Sequence, residues 1–236
     1  MQERGDGLII VSSLIDRADG YFDANGERQA DGYFYKDEIA LYGEYGLTET
    51  ETLIARLAFQ QVEQRFGENF DQAEGLAASQ VGIRRQIFAQ GAQVLSLQGS
   101  FFIPGDGENI TNQPLGEGER AYELRLLAGQ SFGEGGFGDV QISYRAREGR
   151  YLDEIHFDTA FGIPLGSSWR FGLSSFSVWS AEAERPGVPE FIQHKIQISL
   201  LRRGGALDFE IGLMATPAGQ SALDERALFL SSWRRF

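Results

Sequence analysis

The chain lacks cysteine, has only 6 prolines, and contains no long apolar run. Without cysteine there can be no disulfide and no cysteine-based metal site, which fits either a reducing cytosol or a barrel closed by strand pairing alone. The longest apolar runs, such as residues 8–11, are far shorter than the roughly 18 residues of a membrane-spanning helix. The mean hydropathy of -0.26 agrees, so a helical membrane protein is excluded.

Positive charge is also scarce, since the formal net charge is -13. Nucleic-acid or anionic-lipid partners call for clustered Lys and Arg, so we expect neither. Lys36 and Lys195 are the only lysines, and Arg carries the remaining positive charge. Because Arg pairs bidentately with carboxylates, the composition favours an internally paired wall. We expect no cofactor and no metal.

What the chain does have is apolar/polar alternation with a period of two, repeated along its length. In one segment Leu207, Phe209, Ile211 and Leu213 share a face opposite charged and small residues. Each such segment has about the 9–11 residues of a tilted membrane strand. The pattern predicts strands near 7–17, 35–45, 52–61, 76–88, 93–103, 120–130, 138–147, 151–163, 169–180, 190–202, 206–216 and 224–236.

These segments predict an all-β fold: a single transmembrane antiparallel up-and-down β-barrel over residues 1–236, with 12 strands. Every proline falls between predicted segments, as expected if proline cannot donate to a ladder. Connections are mostly long after odd-numbered strands (18–34, 62–75, 104–119, 181–189) and short after even-numbered ones; 148–150 is the exception. That parity is typical of the bacterial outer membrane, with both termini periplasmic and a signal peptide removed.

Aromatic spacing supports the membrane interpretation. Three pairs are each ten residues apart and share a strand face: Tyr35 and Tyr45, Tyr151 and Phe161, and Trp169 and Trp179. Ten tilted residues rise about 25 Å, the height of the lipid-facing band between two aromatic girdles. The terminal Phe236 resembles the assembly signal of outer-membrane barrels, so we expect the barrel-assembly machinery as a partner, besides outer-membrane lipids or detergent. The facing of the last strand and the oligomeric state stay open.

A more specific resemblance lies in residues 41–53, LYGEYGLTETETL. This stretch resembles the strand-turn-strand signature of a porin-like family of transporters in meta-pathway phenol degradation, in which a Glu-Tyr-Gly-Leu-Thr run closes a periplasmic turn. The resemblance implies a barrel that transports solutes, and it implies no particular binding residue.

Three local motifs have simpler explanations than chemistry. The glycines of 133–138 match a dinucleotide fingerprint, and Gly129 to Gly133 spells a nucleophile elbow around Ser131. Both motifs need a helix to follow, whereas a strand is predicted, so a hairpin turn explains them. The acidic run at 23–27 loosely resembles a calcium loop, but an Asn-Gly turn on a solvated surface accounts for it.

The strongest chemical feature is the predicted lumen face, which carries charges of both signs. Enclosed charges must pair or stay hydrated, because an unpaired buried charge is costly. The residues predicted to line the lumen are Glu38, Tyr42, Glu44, Arg56, Arg84, Glu123, Arg125, Arg145, Arg147, Glu154, His156, Asp158, Lys195, Asp208 and Glu210.

Three functions are compatible with this pattern. The first is a porin-like channel for small solutes, in which lumen charges set selectivity. The second is an outer-membrane lipid hydrolase with His156 or His194 as the base. The third is a structural barrel with a closed lumen that acts through its external loops. An enzyme is the less favoured interpretation, and the solute is not indicated.

Overall fold

The computed structural model describes residues 2–105, 107, 119–149, 151–181 and 188–236. Within these ranges no helix is long and apolar enough to cross a membrane. The strands are β1 (Gly7–Phe22), β2 (Arg28–Gln29), β3 (Tyr33–Gly46), β4 (Glu51–Phe66), β5 (Asn69–Leu76), β6 (Ser79–Gln90), β7 (Gln93–Ile103), β8 (Ala121–Phe132), β9 (Gly136–Arg147), β10 (Glu154–Leu165), β11 (Trp169–Ser180), β12 (Ile192–Arg202), β13 (Asp208–Gln220) and β14 (Ala222–Arg235).

The sheet closes on itself, because β14 pairs antiparallel with β1. From β6 onward each strand pairs with the next along the chain, and β1, β3 and β4 continue the ring. β5 and β6 both pair with β4, one after the other, so they form a single wall strand interrupted at Ala77 and Ala78. β2 adds only a two-residue pairing on β1. The predicted twelve-stranded, antiparallel up-and-down barrel is therefore confirmed.

The two faces of this wall differ as the alternation predicts. Large apolar side chains such as Leu173, Ile198 and Leu213, which are neighbours in register on β11, β12 and β13, are exposed on the outer face. Polar and charged side chains occupy the alternate, inner positions. Continuous apolar packing is limited to small inner clusters, such as Ala18 with Phe34 and Val62. A wide apolar band facing outward around a polar interior suits a barrel surrounded by lipid.

Two predicted long loops are largely strand. β1 continues to Phe22 and β3 begins at Tyr33, so both ends of the predicted loop 18–34 belong to the wall, and β2 pairs within it. The predicted loop 62–75 is the end of β4, a tight turn at Gly67 with φ +61°, and β5. Strand pairing continues there through polar side chains, which the sequence pattern suggested were loop. The predicted loops 104–119 and 181–189 lie mostly outside the described residues.

The prediction that every proline falls between strands is wrong for two prolines. Pro164 lies near the end of β10, and Pro217 lies within β13. The register between β12 and β13 shifts between His194 and Ile196, next to Pro217. A bulge of this kind tolerates a residue that cannot donate a ladder hydrogen bond.

Both chain ends meet at one rim of the barrel, called here the terminal end. Gly7 and Phe236 exchange two backbone hydrogen bonds, from Gly7 N to Phe236 O at 2.8 Å and from Phe236 N to Gly7 O at 3.1 Å. The β1–β3 and β4–β5 turns lie at the other rim, called the opposite end.

Candidate functional site in the barrel interior

The residues predicted to line the lumen all lie at inner-face positions, alternating with the exposed apolar side chains of the outer face. They come from eight strands: β3, β4, β6, β8, β9, β10, β12 and, at the terminal end, β13. Their side chains form the contacts described below, which fall into separate groups around the wall.

One group of charges runs across β8, β9 and β10. Glu123 accepts hydrogen bonds from Arg125 Nε at 2.9 Å and from Arg145 Nη2 at 3.0 Å. Arg125 Nη1 also donates to Asp158 Oδ2 at 2.5 Å. Arg145 in addition lies over the ring of Phe102, with its guanidinium carbon 4.2 Å from the ring centroid. Each arginine here is held by more than one partner, which fixes its direction along the wall.

Glu154 joins a second part of the same wall. Its Oε1 accepts a hydrogen bond from Arg147 Nη1 at 2.7 Å, and its Oε2 lies 2.8 Å from His156 Nε2 and 3.6 Å from Arg145 Nη1. All of these groups are largely removed from solvent. A carboxylate in such a setting is stabilised only by its ion pairs and hydrogen bonds, so the wall depends on this connectivity.

A further group lies on β3, β6 and β7, with Gln2 from the chain start. Glu44 accepts hydrogen bonds from Tyr42 OH at 2.6 Å, from Arg84 Nη1 at 3.0 Å and from Gln2 Nε2 at 2.9 Å. Arg84 Nε also donates to Gln98 Oε1 at 3.0 Å. The Glu44–Arg84 pair reaches across β4, because it joins β3 to β6.

On the same part of the wall, Arg56 Nη2 donates to Glu38 Oε1 at 2.6 Å, across the β3–β4 ladder. At the terminal end, Asp208 Oδ2 accepts a hydrogen bond from Arg235 Nη1 at 2.6 Å. Glu210 Oε2 accepts one from the hydroxyl of Ser231 at 3.1 Å, so the charged lining extends to this rim.

Both lysines of the chain meet buried carboxylates on β1 and β14, and the sequence analysis missed most of this group. Lys195 Nζ lies 2.8 Å from Glu225 Oε2, and Lys36 Nζ lies 3.8 Å from Asp16 Oδ2. Gln193 Nε2 donates to the same Glu225 oxygen at 2.6 Å. Lys36 is two residues before Glu38 on β3 and so shares its face. This spacing could have identified Lys36 as a lumen residue. On its own strand face Asp16 lies between Leu14 and Ala18, so the sequence did not mark that face as charged. The facing of the strand that carries Glu225 was undecided.

The ion pairs described above join strands that are neighbours or that have one strand between them. Arg125 and Asp158, for example, lie on β8 and β10, and Lys195 and Glu225 lie on β12 and β14. Such pairs run along the wall and leave the opposite side of the barrel untouched. They brace the lining of the wall.

The predicted aromatic girdle is located on the outer face with one exception. Tyr35, Tyr45, Phe161 and Trp169 are exposed there, and Trp179 shares the face of Trp169. Tyr151 was wrongly placed: β10 begins only at Glu154, and Tyr151 is buried in the preceding connection. The guanidinium of Arg147 lies 4.4 Å from its ring centroid, and this stacking draws the ring away from the lipid-facing side.

The two histidines occupy opposite faces. His156 is buried on the inner face beside Glu154 and pairs in register with Ser143. His194 is on the outer face, where its Nδ1 lies 2.9 Å from the hydroxyl of Ser177 and its ring packs edge-on against Trp179 at 5.5 Å. The sequence analysis found no serine for His194, because the two are 17 residues apart and meet only through strand pairing.

The remaining motifs are turns. The glycines of 133–135 connect β8 to β9, with φ +54° at Gly133 and +99° at Gly135. In the β1–β3 turn, Asp23 Oδ1 accepts backbone hydrogen bonds from Asn25 at 2.8 Å and Glu27 at 2.9 Å. These bonds hold the pKa of Asp23 below its ordinary value. Within the described residues no group of three or more acidic, His or Cys side chains could hold a metal.

Comparisons with known proteins show what this wall resembles. No family model and no curated protein matches the chain. An outer-membrane channel from Pseudomonas putida F1 is 14% identical, with a TM-score of 0.83 over 100% of this chain and 97% of that one. The chain has the fold of a porin-like outer-membrane β-barrel. Together with the apolar outer band, this fold indicates a bacterial outer membrane.

Other solved structures share the same architecture more distantly. The KdgM porin is 8% identical, with a TM-score of 0.58 over 96% of this chain and 99% of that one. The translocator domain of the autotransporter NalP from Neisseria meningitidis is 12% identical, with a TM-score of 0.58 over 100% and 90%. Because all of these structures are less than 15% identical to this chain, the likeness describes the fold. The narrower resemblance of residues 41–53 to phenol-degradation transporters stays a prediction.

Proposed function

We propose that this protein is a passive channel for small solutes across the outer membrane, with a narrow lumen lined by paired charges. The single observation that carries the proposal is the arrangement of the lumen ion pairs. They connect neighbouring or next-neighbouring strands, as Glu44 does with Arg84 and Glu123 with Arg145. Charges held along the wall stabilise a polar lining around open space, whereas a plug would need pairs between distant strands.

The structural neighbours support the same function. An outer-membrane channel and a porin share the complete barrel with this chain. Twelve strands give a barrel wider than an eight-stranded one, which side chains fill, and narrower than a sixteen-stranded general porin. We therefore propose a lumen that admits small solutes and excludes larger ones. Lumen charges then act on everything that passes, since nothing can cross without meeting the lining.

Swelling of proteoliposomes tests this function without electrical recording. Liposomes carrying the folded barrel should swell in an isosmotic solution of a small solute, and the rate should fall steeply as solute size increases. Liposomes with the same amount of heat-unfolded protein are the control. Swelling no faster than in that control, with the barrel shown to be folded, would contradict a passive channel and favour a closed structural barrel.

A second candidate, a lipid-modifying enzyme, is favoured by one observation: the Ser177–His194 contact at 2.9 Å on the outer face, where lipid would lie. The support is incomplete, because in the part of the chain that the structure describes no carboxylate orients His194, and Ser177 is buried. A serine-directed fluorophosphonate probe tests it. Labelling that disappears in Ser177→Ala would support the enzyme, and no labelling in folded protein would dismiss this site.

A further inference from the structure

The basic partner is more exposed than the acidic partner in most of the lumen ion pairs. The side chain of Lys36 is 22% exposed and that of Asp16 is 0% exposed. Lys195 is 18% exposed and Glu225 is 7% exposed. In both pairs the carboxylate lies behind the ammonium, against the wall.

The same order holds on other strands. Arg56 is 32% exposed and Glu38 11%, while Arg84 is 17% exposed and Glu44 9%. On β8 to β10 the difference persists for Glu123, which is nearly covered by its two arginines. Two pairs depart from the order, because Arg125 and Asp158 are equally exposed and Arg147 and Glu154 are both covered. No lumen pair described above shows a carboxylate clearly in front of its base.

The physical reason is side-chain length. Lys and Arg carry their charge on long stems and can extend it away from the backbone, whereas Asp and Glu keep theirs near the strand. A solute in the lumen therefore meets ammonium and guanidinium groups before it meets carboxylates. Low-dielectric walls focus the field of such groups and raise the local concentration of the opposite charge. The number of charges in the lining is nearly balanced, but the surface in contact with the solute is cationic.

We infer that the lumen prefers anions, so that small carboxylates and other organic anions cross it faster than cations of the same size. This inference rests on the proposed channel function. It is opposite to what the net charge of -13 alone would suggest, since that charge also counts the outer face, the turns and the buried carboxylates. Arg56, Lys36 and Lys195 are the residues that determine the preference.

A reversal potential measured across a planar bilayer tests the inference on the complete, folded protein. With a KCl gradient, zero current should occur at the voltage whose sign marks chloride as the more permeant ion. A cation-preferring or unselective current would contradict this inference and leave the channel intact. A folded barrel that passes no current would contradict the channel function itself, so the two failures are distinguishable.

Single and double variants show whether the permeability ratio depends on the exposed basic groups or on the net charge of the lining. Arg56→Gln, and independently Lys195→Gln, should each lower the chloride-to-potassium permeability ratio at least about twofold. The double variant Arg56→Gln with Glu38→Gln keeps the net charge and should also lower the ratio, because only the exposed member of the pair faces the solute. An unchanged ratio in the double variant would contradict the inference.

The matched control is Arg85→Gln. Arg85 is 71% exposed and lies on the outer face, so its loss should leave the permeability ratio unchanged. Heat-modifiable gel migration must show that each variant is folded before its current is compared. A shift as large in Arg85→Gln as in Arg56→Gln would contradict the assignment to the lumen.

Discussion

Lys195 Nζ lies 2.8 Å from Glu225 Oε2, although β13 separates their two strands. At this level β13 carries a bulge, between the partners of His194 and Ile196. Gln193 reaches the same carboxylate. Glu225 is therefore the acceptor on which this part of the wall converges.

We predict that Glu225→Gln destabilises the barrel. The substitution leaves Lys195 without its carboxylate in a buried position, and breaking a buried pair costs about 3 kcal/mol. The free energy of unfolding by urea in liposomes measures the effect. Glu49→Gln, in an exposed turn, is the control and should be close to neutral. Equal stability of the two variants would show that the buried group does not stabilise the wall.

Leu213→Arg tests whether the outer face meets lipid. Leu213 is exposed and lies in register with Ile198 at mid-wall, so an arginine there should cost about 2–4 kcal/mol in a bilayer. The same charge at Gln72, near the opposite end, should cost little. Urea titrations in liposomes compare the two. In a water-soluble barrel an exposed Leu213→Arg would be harmless, so a neutral result would contradict the membrane location.

The hydrogen bonds to Asp23 predict that the local stability of the β1–β3 turn depends on pH. Its carboxylate accepts backbone hydrogen bonds, and the pKa of Asp23 in the folded protein lies below its ordinary value of 3.8. The stabilisation of this turn is therefore complete at neutral pH and is lost as the pH falls below that value through the lower, folded pKa. The protection of the Asn25 and Glu27 amides against exchange, corrected for the intrinsic rate at each pH, should fall in that range. Asp23→Asn should remove the pH dependence; if it persists, other groups cause it.

Phe236 predicts a difference between assembly in cells and folding in detergent. We propose that its ring is part of the signal for the assembly machinery, since it is exposed at the terminal end. Its pairing with Gly7 uses backbone atoms that a substitution retains. Phe236→Ala should therefore reduce the amount of folded barrel in cells and leave refolding into detergent micelles unchanged. A parallel loss in both settings would indicate a structural role instead.

Much of the fold could be predicted because alternation is a local property. Leu207 to Leu213 shows its two faces in the sequence alone, and closure follows once every segment has one apolar face. Beyond the outer apolar band the pattern reverses, because Ala18, Phe34 and Val62 form an apolar cluster on the inner face. The ends of β1, β3 and β4 therefore do not continue the apolar-outward alternation, and they were assigned to loops. The prediction that Tyr151 belongs to the outer girdle is wrong because β10 begins only at Glu154. The ten-residue spacing from Phe161 therefore does not put the two residues on one strand.

The lumen residues could be assigned to a face, because parity alone decides it, but their partners could not. Glu225 and Lys195 are 30 residues apart and meet across an intervening strand, which no local pattern marks. Asp16 has Leu14 and Ala18 as neighbours on its own face, so that face did not indicate a charged group. The order of exposure within each ion pair depends on side-chain direction, which requires the structure.

Single-channel recording in planar bilayers tests the central claim most directly. The purified, folded barrel, verified by heat-modifiable migration, should produce discrete current steps of uniform size in symmetric salt, and the steps should be absent after heat unfolding. Continued absence of steps with a folded barrel inserted in the bilayer would contradict the passive channel.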